Sequence, residues 1–189
     1  MVRSFLDRAK QKFEAITSIG DFEDAVRREL EELSKLTDDI ALVVVGHLHI
    51  EKKIIDVLNS FFNYEFSRGQ LENAQYSQLV TFLRLSNLCN ENILMALQFL
   101  GKLRNRFAHD IVSLSLLDKT NPKKDNELMD SFHAVCQSNK ISNTNPKQRY
   151  IDLLKRIYVE LRKAELLAKE MNRYVSTPDF VDSLETIKV

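Results

Sequence analysis

Apolar residues recur along this chain at the spacing of helices. From Ile40 onward, the apolar positions Leu42, Val43, Val44, Val45, Leu48, Ile54, Ile55, Leu58, Phe61 and Phe62 follow one another with no turn signal. Taken alone, residues 40–46 also fit a buried strand. The pattern, however, continues well past the length of an ordinary strand, which favours a helix opened by Thr37-Asp38-Asp39. Upstream, Ile19-Gly20-Asp21 breaks a short initial helix, and Asp21 can cap the next. On that helix Phe22, Ala25, Val26, Leu30, Leu33 and Leu36 share one face, and Arg27, Arg28, Glu31 and Glu32 lie opposite. Downstream, Arg68-Gly69-Gln70 closes a loop before a helix over 77–88. Asn90 then caps a helix over 91–109 that carries Ile93, Leu94, Leu97, Leu100, Leu103 and Phe107.

A polar stretch follows. Thr120-Asn121-Pro122-Lys123 recurs as Thr144-Asn145-Pro146-Lys147, and each copy reads as a polar cap with Pro at the first helical position. The first opens a short helix holding Leu128, Met129, Phe132, Ala134 and Val135. The second opens a long helix over 147–174, striped by Tyr150, Leu153, Leu154, Ile157, Leu161, Ala164, Leu167, Ala168 and Met171. The pattern predicts an all-α bundle of about five to seven helices. We expect one domain over 1–189, with its core over about 21–110 plus the long helix and a polar excursion over 118–146.

Composition narrows the picture. Only 4 Gly, 3 Pro and no Trp occur in 189 residues, too little punctuation for many short strands. Lys plus Arg is 27 and Asp plus Glu is 27. A net charge of zero argues against a broad electrostatic nucleic-acid surface, so any such contact is a local site. Cys89 and Cys136 lack metal-ligand spacing and read as reduced, buried thiols. The charged, amphipathic N-terminus has no apolar core or cleavage signal, and no apolar run approaches a membrane span. These features lead us to expect a soluble cytoplasmic protein.

Residues 102–110, Lys-Leu-Arg-Asn-Arg-Phe-Ala-His-Asp, place chemistry at the end of an otherwise apolar helix. The planar guanidinium of Arg104 suits a phosphate, and the imidazole of His109 titrates near neutral pH and can move a proton. On a regular helix the two are separated by about 140° and about 7.5 Å of rise. They meet on one substrate if the helix loosens before His109, or if a two-fold axis brings two copies to one cleft. The plainer reading is a pair of cations at a helix C-terminus. A second cluster, Gly-His-Leu-His-Ile-Glu, holds His47, His49 and Glu51. His47 and Glu51 stand one turn apart, which favours a buried hydrogen bond between them, or a role for Glu51 in positioning Arg104. A metal enzyme built on these three residues lacks an obvious further ligand. His49 and His133 read as surface residues.

Residues 100–109 resemble the signature of the HEPN superfamily: an Arg, a polar residue, a short spacer and a His, here Arg104, Asn105 and His109. The wording also resembles the branch related to the mannitol operon repressor. The apolar helix carrying Glu51 before the motif is similar to that family's arrangement. The resemblance implies a HEPN-like helical bundle, usually a symmetric homodimer with the Arg and His pairs facing one cleft. It implies a metal-independent endoribonuclease without cofactor, acting on RNA as a toxin beside an antitoxin or in defence against phage. His109 would be the general acid or base, Arg104 would hold the phosphate, and Asn105 would donate a hydrogen bond to the phosphate or orient Arg104. Lys102 and Arg106 would add phosphate contacts, Asp110 would fix the His109 tautomer, and His47 and Glu51 would support the site. Other members imply the alternative, a non-catalytic dimeric regulatory protein. No helix-turn-helix is visible to support direct DNA reading.

Overall fold

The computed structural model describes residues 28, 30, 31, 33, 35–62, 69–109, 114–117 and 126–175. Among them every regular element is helical, and the chain is an all-α protein. Five helices carry the fold: α1 (Asp39–Phe62), α2 (Tyr76–Leu85), α3 (Glu91–His109), α4 (Asn126–Ser138) and α5 (Pro146–Val175). A 3-10 turn, Leu114–Leu117, lies between α3 and α4. The expected helix over 21–36 falls mostly outside the described residues. Within it, the buried Leu30 and Leu33 and the exposed Arg28 and Glu31 are helical.

The helix starts follow from local chemistry. Asp38 Oδ1 accepts the Ala41 amide at 2.6 Å, and Asn90 Oδ1 accepts that of Ile93 at 3.1 Å. Asn145 Oδ1 accepts the Gln148 amide at 3.0 Å, with Pro146 at the first helical position. The earlier copy of that motif, 120–123, lies outside the described residues. Residues 40–46 form the first turns of α1 and not a strand. The helix over 77–88 is shorter than expected, ending at Leu85, because Asn87 turns left-handed at φ 55°. Lys140, at φ 60°, ends α4 in the same way, with the Ile141 amide donating back to the Cys136 carbonyl at 2.9 Å.

α1 packs most extensively on α5, and the two run parallel. Lys147 Nζ donates to the Thr37 carbonyl at one end, and Asn172 donates to the Ser60 carbonyl at the other. Between them, Gly46 lets the backbones close. A Cβ there would stand 2.7 Å from Leu154 Cδ1 and 3.4 Å from the Tyr150 hydroxyl. Lys53 bonds Glu165 at 2.7 Å in the interior. Arg162 and Lys169 also donate to Glu165, and the Lys53 ammonium lies 5.4 Å from the Tyr158 ring centre. Burial opposes ionisation of Glu165, but bonds from Lys169, Lys53 and Arg162 outweigh it and hold its pKa at about 2.

α2 and α3 form an antiparallel hairpin, joined at its tip by Arg84 and Glu91 at 2.7 Å. α4 lies antiparallel on α3, with Phe99 and Phe132 stacked at 5.5 Å and Asn139 donating to the Asn92 carbonyl. Within the stretch expected as a polar excursion, the helix α4 thus packs on the core, and 118–125 lie outside the described residues. Leu128, Met129, Phe132, Val135 and Cys136 are buried in the core, whereas Ala134, expected inward, is exposed. His133, expected at the surface, is half-buried and shares a 2.9 Å hydrogen bond with Arg149. Of the two cysteines, Cys136 is buried and Cys89 only half-buried. Burial pushes the Cys89 thiol up to about 12. No helix among the described residues is long and apolar enough to cross a membrane.

Candidate functional site

α3 presents its apolar face to the bundle and a polar face to solvent. Ile93, Leu97, Leu100, Leu103 and Phe107 are buried. Gln98, Lys102, Asn105 and His109 are exposed and recur at intervals of four, three and four residues. At 100° per residue these four fall within about 60° of one another and form one strip about 16 Å long. The helix stays regular through His109, so it does not loosen to bring His109 beside Arg104. Of the two arrangements open from the sequence, the first is therefore excluded within α3. Arg104 leans off the strip toward α1, with one guanidinium nitrogen 3.3 Å from Asn105 Oδ1.

Two adjoining concavities flank the strip. The larger, of about 760 Å³, lies between α1, α2 and α3. Arg104, Glu51 and His47 border it on one side, Tyr76, Ser77 and Thr81 of α2 on another, and Gln98 on α3. The smaller, of about 400 Å³, opens toward α4 and is lined by Arg106, His109, Glu127 and Ser131. Lys102 and Asn105 border both. Arg104 and His109 of one chain thus face neighbouring clefts and not a common one.

His47 forms part of the floor of the larger cleft at 5% exposure. Its ring packs on Tyr76, centroids 4.3 Å apart, and Tyr76 donates its hydroxyl to the Leu97 carbonyl at 2.9 Å. Gly101 makes room for that tyrosine, since a Cβ there would sit 3.1 Å from its ring. The expected His47–Glu51 hydrogen bond does not form. His47 Nδ1 is buried with no hydrogen-bond partner among the described residues. Burial first, then the nearby charge of Arg104, lowers the His47 pKa to about 4, so the ring is neutral at physiological pH. Burial, with smaller contributions from Tyr150 and Glu51, raises that of Tyr76. Glu51 shares the cleft with Arg104 but makes no ion pair with it among the described residues.

The remaining expected residues have distinct fates. Lys102 is exposed on the strip and Arg106 beside it, and His49 is exposed away from either concavity. Asp110 lies outside the described residues. No three His, Cys, Asp or Glu side chains cluster as a metal site among the described residues. Sequence reasoning missed Tyr76, Thr81 and Gln98. Gln98 carried a readable signal, its spacing to Lys102, Asn105 and His109. Tyr76 carried none, because its meeting with His47 depends on helix packing. Compared with known protein families, curated proteins and solved structures, the chain matches none of them.

Proposed function

We propose that this protein is a metal-independent endoribonuclease of the HEPN type, working as a homodimer, in the role of a toxin or phage-defence effector. The observation that carries the reading is the exposure of Arg104, Asn105 and His109 in the last turns of α3, where Arg104 opens onto one polar cleft and His109 onto the adjoining one. A second copy packed across this edge would bring the Arg104 of one chain toward the His109 of the other. In that cleft His109 takes the ribose 2′-OH proton as general base, and the oxygen attacks phosphorus. The 5′-oxygen takes a proton from water as it leaves, giving a 2′,3′-cyclic phosphate and a 5′-hydroxyl, and the His109 imidazolium returns its proton to the hydroxide left behind. Arg104 and Lys102 balance the charge on the phosphate oxygens, and Asn105 holds the Arg104 guanidinium. Deoxyribose has no such nucleophile, so DNA is inert.

The test is incubation of a mixed RNA pool in EDTA with wild type, His109→Ala and Arg104→Ala. Cleavage by the wild type alone, with cyclic-phosphate ends, supports the reading. Equal cleavage by the His109→Ala protein sinks it. The divergence of Arg104 and His109 within one chain favours a second reading, a regulatory module that keeps the fold without catalysis. An inert wild type that forms a stable complex with a protein partner would favour it.

A further inference from the structure

The larger cleft holds features that phosphate chemistry does not use. Its floor has a neutral imidazole, His47, 5% exposed and with Nδ1 unpartnered among the described residues. Its wall has the half-buried carboxylate of Glu51, which would repel a phosphate, and its rim has the primary amide of Gln98. Neither Glu51 nor Gln98 makes a side-chain hydrogen bond or ion pair among the described residues. At about 760 Å³ the cleft falls within the usual range for small-molecule sites. Of its cations, Lys102 and Arg104 lie where it meets the motif, while Arg84 is paired with Glu91 at the hairpin tip.

This division of charge matches the two ends of a nucleotide. We infer that the cleft between α1, α2 and α3 seats the base of the nucleotide next to the scissile phosphate, and that Glu51 selects a base bearing an exocyclic amine. The inference rests on the ribonuclease reading and adds its base specificity. The carboxylate accepts from the amine, as Glu and Asp accept from the cytosine amino group elsewhere. Gln98 offers a paired donor and acceptor to a base edge, and the His47 ring forms part of the floor beneath it. Uracil presents a carbonyl where adenine and cytosine present the amine, so it leaves the Glu51 carboxylate unpaired and is disfavoured. The base and the phosphate are held on one helix face, with Lys102 between Gln98 and His109.

The experiment uses the whole protein and two uncleavable probes, the 2′-deoxy dinucleotides of adenine and of uracil, followed by amide chemical shifts. The adenine probe should shift Ser77, Thr81, Gln98 and Lys102 and bind about tenfold more tightly than the uracil probe. Glu51→Gln should abolish the preference, and Gln98→Leu should weaken adenine binding about tenfold. Gln98 is exposed, and circular dichroism verifies that its variant folds. Absence of shifts in the cleft at millimolar probe, or equal binding of the two probes by the wild type, overturns the inference, and this mapping needs no variant. Binding with the expected preference but no RNA cleavage leaves the base seat standing and removes the nuclease. Cleavage whose base preference is unchanged in Glu51→Gln leaves the nuclease and removes the seat.

Discussion

Arg104 and His109 are exposed side chains on a helix whose buried face is carried by other residues. Their truncation to Ala should therefore change stability by no more than about 0.5 kcal/mol, while RNA cleavage falls to background. Urea unfolding beside the cleavage assay separates the two effects. Gly46 is the reverse case, since it has no chemistry and no spare room. Gly46→Ala gains up to about 1 kcal/mol of helix propensity but pushes on the buried Leu154, an overpacking cost of about 1–3 kcal/mol. A net loss of about 1 kcal/mol is expected, read as a lower urea midpoint. His47 makes the fold sensitive to mild acid. Its pKa is about 4 in the fold against an ordinary 6.5, so the unfolded chain binds the proton first. Its contribution is complete above pH 6.5 and is lost as pH falls toward 4, on the order of 3 kcal/mol across the window. His47→Gln should flatten the pH dependence of the urea midpoint between those limits.

Among the helices, the α1–α5 contact holds the ion cluster. Glu165 has its pKa lowered to about 2 from 4.5, so its contribution is present above pH 4.5 and is lost as pH falls toward 2. Glu165→Ala strands Lys53, which is 6% exposed, with Asp56 at 3.8 Å as its remaining carboxylate among the described residues. A loss of about 3 kcal/mol is expected, and Lys53→Met added to Glu165→Met should recover most of it. A thermal melt of the single and paired variants tests this. Caps at Asp38, Asn90 and Asn145-Pro146 were legible in the sequence because each is a bond between residues three apart. The helical reading of 40–46 was legible from length alone. The early end of α2 was not, because the left-handed turn at Asn87 carries no Gly or Pro to announce it. Burial of α4 was obscured by the polar residues before it, although Phe132 and Val135 were correctly read as apolar helix positions. The ring of His47 was assigned to Glu51, one turn along its own helix. It packs instead on Tyr76 of α2, a choice made by packing between helices.

For the molecule as a whole, the angle between Arg104 and His109 was readable from helical geometry, and the regularity of α3 through His109 keeps them apart. A site shared by two copies makes a distinct prediction. Arg104→Ala and His109→Ala proteins, each inactive, should regain cleavage when unfolded together and refolded, because roughly half of the pairs are then mixed and restore one intact cleft. No recovery on mixing would place all the chemistry within a single chain. The parallel run of α1 against α5 has a consequence of another kind. Ser60 meets Asn172 across 112 residues of chain, so the apolar flank of α1 has no permanent cover until α5 leaves the ribosome. At ordinary elongation speeds that wait is roughly 5–20 s. During it the flank around Gly46 and Lys53 is open to chaperones and proteases, and a chain broken off before α5 is a target for degradation, not a half-active fragment.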